Sequence, residues 1–297
     1  MSDLSIRLLL VWCCWSGSAF LAEASAISSN EERSAGQTWV RLIDDVERLR
    51  LPTKFLKALP SDFIHFEFDD LRTYAAEYHL GEHRMVLNRS LSFNAAGRTL
   101  KPLGKMTHKE LEVLYHELFH AYMDYLAVSE TGQRSEGLLR FAREWQACRY
   151  GEVEITPIAQ RKDETESRYL TPGESWEALN ETWAVFIGWA VWNQLEVQRQ
   201  IGKSMFQERR QGDEWTRRFH VAFENGELRG YYVPEDPDER RLAQKRYLSK
   251  PSQLSMEEAI LLMRQALGFQ YDFIDRLETL PGFSRVTNCP SSNDTTN

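Results

Sequence analysis

A basic excess is the first thing this chain lacks. Lys and Arg together number 36 against 44 Asp and Glu, a net charge of -8 over 297 residues. Such a chain gains nothing from the counterion release that drives nucleic-acid binding, which sets that partner class aside. Long hydrophobic runs are also missing. The one apolar stretch near the start, Leu8–Trp15, is broken by Ser16, Gly17 and Ser18 and is too short to span a bilayer. Cysteine is scarce, with four in all, and Cys13 and Cys14 fall inside that stretch. Cys148 and Cys289 are left, enough for one disulfide in an oxidising compartment. No internal repeat and no interdomain linker is visible.

What is present begins with an export pattern. Arg7 precedes the apolar stretch, and Ala24-Ser25-Ala26 supplies the small-x-small sequence of a cleavage site. Residues 1–26 read as a signal peptide, and 27–297 as a single domain that is secreted or periplasmic. The cleaved chain would have no stable membrane insertion. Hydrophobic residues at 42% and nine tryptophans are enough for a core.

The periodicity gives an α+β order. Residues 27–38 read as a loose leader. Trp39, Leu42, Ile43, Val46 and Leu49 recur at helical spacing within Thr38–Leu59. Phe63–Phe68 alternates like a strand, and Arg72–His79 and Arg84–Phe93 follow as two more, joined by a turn at Leu80–His83. Thr107 and Glu110 form a capping box ahead of Leu111, Leu114, Tyr115, Leu118, Tyr122 and Tyr125, which keep a 3.6-residue rhythm. Leu138–Cys148 reads as a short helix and 159–168 as a charged exposed loop. Thr171-Pro172-Gly173-Glu174 opens a second long helix, to about Gln198. The stretch 202–240 reads as mixed, and Ser255–Leu267 and Tyr271–Leu277 as a helical tail.

Chemistry concentrates on the first capped helix. His116 and His120, four apart, put both imidazoles on one face, where they can share a metal ion. Glu117 beside them is placed to take a proton from water activated by that ion. A catalytic zinc usually has three protein ligands, so a third must come from elsewhere. Glu181 is the first choice. It sits among Leu179, Trp183, Val185, Phe186 and Ile187, where an unpaired carboxylate is costly. Glu144 competes because it is nearer in sequence. If Glu181 faces solvent, it does so with Glu177, one turn before it. Asp124, one turn after His120, is either an acceptor that supports the metal helix or a surface residue. His220, Tyr231 and Tyr232 are conceivable donors to an oxyanion. Asn88-Arg89-Ser90 and Asn180-Glu181-Thr182 match the glycosylation pattern, though a buried helix argues against use at 180.

The stretch His116–Tyr125 resembles the active-site helix of thermolysin-type peptidases, down to Ala121 and the Asp124-Tyr125 pair. Asn180-Glu181 followed by Gly188 is similar to the helix that supplies their glutamate ligand. The resemblance extends to the wider gluzincins and covers about ten residues in each of two helices. The gap from His120 to Glu181 is longer than in thermolysin, and Val185 stands where related families often carry an Asp. The resemblance implies a zincin-like α+β fold: a small mixed sheet, the active-site helix, the glutamate-ligand helix and a helical C-terminal part. It implies one Zn2+ per chain on His116, His120 and Glu181, Glu117 as general base, and a peptide or protein substrate. It also implies an edge strand beside the cleft, for which Arg84–Phe93 is the candidate, the other reading of that stretch being a plain core strand. The rival readings are a zinc amidase acting on cell-wall material and a catalytically inert exported binding protein.

Overall fold

A computed structural model describes residues 36–72, 75–93, 99–129, 136–159, 161, 163–201, 208–278 and 289. The signal-peptide reading of 1–26 lies outside the described residues. So does the leader, except that residues 36–38 already belong to helix α1 (36–48). Trp39, Leu42 and Val46 are the buried face of α1. The helix stops well short of Leu59. Arg50 turns the chain at φ 56°, and Pro52, which has no N–H to donate, blocks continuation. A single 3-10 turn, Leu56–Ala58, is all the helix that follows before Pro60.

Three strands come next: β1 (His65–Asp69), β2 (Ala76–His79) and β3 (Arg84–Asn88). Their spatial order is β1-β3-β2, with β1 parallel and β2 antiparallel to β3. The predicted turn at Leu80–His83 joins β2 to β3, since His79 pairs with Arg84. The edge-strand expectation is corrected here. β3 is the central strand, as the core-strand reading has it, and the edges are β1 and β2, of which β2 lines the cleft. Met85, Val86 and Leu87 are buried in succession, which requires cover on both faces and fits an inner strand. β3 also ends earlier than predicted, at a 3-10 turn over Arg89–Leu91 that the Asn88 side chain caps.

Helix α2 (His108–Val128) starts at the predicted capping box, with both reciprocal hydrogen bonds formed. Helix α3 (Glu136–Arg149) follows, then a hairpin of β4 (Glu152–Ile155) and β5 (Glu166–Tyr169). The reading of 159–168 as loop misses the start of β5. Its residues are polar, and its strand character comes from pairing with β4. Helix α4 (Pro172–Ile201) has the second predicted capping box, Thr171 with Glu174.

Helix α5 (Glu208–Glu224) lies in the stretch read as mixed, although Trp215, Phe219 and Ala222 supply a buried helical stripe. The pair β6 (Tyr231–Tyr232) and β7 (Arg246–Tyr247) brackets α6 (Pro237–Leu242). A bridge between Ile155 and Leu248 joins this pair to the β4–β5 hairpin. Helix α7 (Met256–Leu262) opens on a capping box of Ser255 and Glu258, runs into a π turn at Met263–Leu267, and α8 (Tyr271–Glu278) follows. Cys148 and Cys289 form a disulfide. The fold is α+β, and among the described residues no helix is long and apolar enough to cross a membrane.

The site is positioned by the packing of α2 against α4. Gly188 makes their contact close, for a Cβ there would lie 2.7 Å from the Glu112 carbonyl oxygen. Gly230 does the same for β6. Its N–H donates to Thr182 Oγ1 at 3.2 Å, and a Cβ would lie 2.5 Å from the Thr182 amide nitrogen. The strand pair is thereby pressed onto α4 beside Glu181.

Candidate metal centre

His116 and His120 project from one face of α2 towards α4, with Nε2 atoms 3.0 Å apart. Glu181 meets both. Its Oε2 lies 3.3 Å from His116 Nε2 and its Oε1 3.4 Å from His120 Nε2. This group can hold a metal ion, each residue offering one ligand atom, all within 4.8 Å of one another. A test of that fit comes from Glu181 itself. Its Oε2 is buried and accepts no hydrogen bond of good geometry. A buried carboxylate oxygen left so is costly, and a cation between the three groups would satisfy it.

The electrostatics agree with converging donors. Burial alone would raise Glu181, but the imidazoles of His120 and His116 outweigh it and hold the carboxyl at about 2. Burial lowers His120 to about 4, which keeps its ring neutral and able to ligate. For His116 burial acts downward too, yet the carboxylates of Glu181, Glu117 and Glu112 win and raise it. Glu117 sits beside the group, with Oε2 accepting the Tyr78 backbone N–H at 2.9 Å. Burial pushes its carboxyl up to about 7.

A cleft of about 1020 Å³ opens over these residues, lined by α2, α4, β2 and the β6–β7 segment. On its β6 side the Tyr231 phenol shares the cleft with Glu181, and burial and that carboxylate raise its pKa strongly. Lys245 lies over the Tyr231 ring, Nζ 3.8 Å from the centroid. On the β2 side, Ala76, Glu77 and Tyr78 form the wall.

The other sequence candidates sort cleanly. Glu144 is on an exposed face of α3 with Arg140 3.9 Å away, so it does not compete with Glu181. Glu181 is buried rather than facing solvent, and Glu177 lines the same cleft with Oε2 accepting from Val233 N. Of the three conceivable donors, Tyr231 is at the cleft, His220 sits on α5 away from it, and Tyr232 is buried against Arg168. Asp124 is neither a surface residue nor a partner of the metal helix's imidazoles. It is buried and bonds Tyr78 and His83. Asn180 and Thr182 are buried, which closes that glycosylation pattern to use. Sequence reasoning missed Tyr78 and Lys245, and no local pattern marks either. No family model, curated protein or solved structure matches the chain.

Proposed function

We propose that this chain is an exported zinc-dependent metallopeptidase of zincin-like fold, with His116, His120 and Glu181 as ligands and Glu117 as general base. One observation carries the reading: two imidazole nitrogens 3.0 Å apart, each with a Glu181 carboxylate oxygen at 3.3 or 3.4 Å, beside an acid that is not part of the group. Two donors on one tetrahedral zinc, with bonds of about 2.0–2.1 Å, stand about 3.3 Å apart. Two imidazoles and one carboxylate also form a familiar catalytic zinc set that leaves a position open.

A bound zinc supplies Lewis acidity, polarising a carbonyl and making water easier to deprotonate. The remaining work falls to the chain. Glu117 takes the water proton and returns it to the leaving amine, and burial, which raises its carboxyl, helps it hold the proton between the two steps. The Tyr231 phenol, kept protonated, donates to the oxygen that develops negative charge. Edge strand β2 orients the substrate. Asn88 N donates to Ala75 O, so alternation in the antiparallel ladder turns the N–H and C=O of Ala76 outward, on the cleft side. An extended peptide adds to such an edge as a further strand. The export reading rests on Arg7, the Leu8–Trp15 stretch and Ala24–Ala26, and the disulfide supports it.

Elemental analysis of the purified chain, beside His116→Ala and Glu181→Ala, tests this. The expected result is about one zinc per chain, lost or weakened in both variants, with peptide-library cleavage by the loaded wild type. No zinc after metal reloading sinks the reading. Zinc without peptide cleavage, but with hydrolysis of cell-wall amides, moves the substrate and keeps the site.

A further inference from the structure

We propose that Asp124 is a positioning residue: through the Tyr78 phenol it clamps edge strand β2 to α2, so that the Tyr78 amide stays on Glu117. The catalytic consequence rests on the hydrolase reading above; the clamp itself does not.

Two bonds from one residue make the clamp. The Tyr78 phenol donates to Asp124 Oδ2 at 2.7 Å, and the Tyr78 backbone N–H donates to Glu117 Oε2 at 2.9 Å. Glu117 and Asp124 are seven residues apart on α2, about two turns or ~10 Å along the axis. A single strand residue therefore spans two turns of the metal helix. Asp124 is buried, and a buried carboxylate needs partners. Both of its partners belong to the β2–β3 hairpin: Tyr78 on the strand, and His83 in the turn with Nδ1 2.9 Å from the same Oδ2. The Phe63 ring, 4.3 Å from the His83 ring, closes the other side.

The strand needs such an anchor. β2 has four residues and pairs with β3 alone, so its ladder leaves its distance from α2 unset. Both bonds end on a carboxylate oxygen, and the phenol bond joins two buried side chains, shielded from water. The amide bond is the one the chemistry uses. It fixes the orientation of the Glu117 carboxylate and leaves Oε1 for the proton transfer. Asp124 touches no metal ligand and acts on the strand through Tyr78, while His83 holds it from the turn.

The test uses the full chain, zinc-loaded, as wild type, Tyr78→Phe, Asp124→Asn and the double variant. Residue-resolved amide hydrogen exchange at position 78 is the main readout, with zinc content, and with kcat and KM on a peptide that the wild type cleaves. Each single variant is expected to speed exchange at position 78 by about tenfold, while the Val86 amide inside the ladder stays protected and zinc content is unchanged. The double variant is expected to match the larger single effect at position 78, because both substitutions weaken the same phenol–carboxylate bond. In turnover, kcat is expected to fall by more than KM rises. Unchanged exchange at position 78 in Tyr78→Phe overturns the clamp, and so do additive effects in the double variant. If Asp124→Asn does not fold, Tyr78→Phe decides, since it deletes one hydroxyl. A zinc-loaded wild type that cleaves no peptide sinks the hydrolase reading, and the exchange data still decide the clamp.

Discussion

Glu117 and Glu181 face the same cleft, yet their surroundings drive them apart. Glu181 lies between two imidazoles that hold its carboxyl at about 2. Glu117 accepts one amide, and burial dominates, raising it to about 7. That split matches the proposed roles of Glu181 as ligand and Glu117 as base. Glu117→Gln keeps the shape and removes the base. It is expected to retain metal, read by elemental analysis, while turnover falls by about 10²-fold or more. Tyr231→Phe removes only the phenol beside Glu181. It is expected to lower kcat by about 10²-fold with bound metal unchanged, which steady-state kinetics reads. His116, Glu117 and His120 were legible because helix geometry turns a spacing of four into a shared face. Tyr78, Tyr231 and Lys245 reach the site from other elements, and no spacing encodes that.

At the scale of elements, the site depends on how closely two long helices approach. Each starts at a capping box written in its sequence, Thr107 with Glu110 and Thr171 with Glu174. Their contact depends on Gly188, where any side chain meets the Glu112 carbonyl. Gly188→Ala is expected to push α4 off α2, costing about 1–3 kcal/mol of stability, read by denaturant unfolding. Because Glu181 and the two histidines sit on opposite helices, metal affinity should fall with it, read by competition with a chelator. The elements the sequence missed share a cause. β5 is polar and exists by pairing with β4, and the role of β2 as an edge follows from strand order, which no single strand records.

For the whole molecule, the candidate metal group and the disulfide each connect segments distant in sequence. The candidate ligands on α2 and α4 come together only in the folded state, so an ion bound there would stabilise the fold by mass action. At 100 times its Kd, zinc is expected to add about 2.7 kcal/mol and raise the melting temperature by several degrees, read by calorimetry and reversed by chelation. The Cys148–Cys289 bond closes a loop over a sequence separation of 141. Its reduction, or Cys148→Ser, is expected to cost about 2–5 kcal/mol and to change mobility on a non-reducing gel.

The sequence by itself determined α2 and α4, their caps, the α+β order and the His-Glu-x-x-His face, because each is a local relation between residues a few positions apart. Tertiary structure alone decided that Glu181 and not Glu144 joins the histidines, that β2 is the cleft edge, that Tyr231 rather than His220 or Tyr232 faces the site, and that Asp124 serves the hairpin. Those outcomes depend on which surfaces meet across the fold: two glycines that let backbones touch, and burial that leaves a carboxylate only certain partners. Local sequence carries no record of such distances, since the residues that meet are separated by tens of positions and become neighbours only when the core closes.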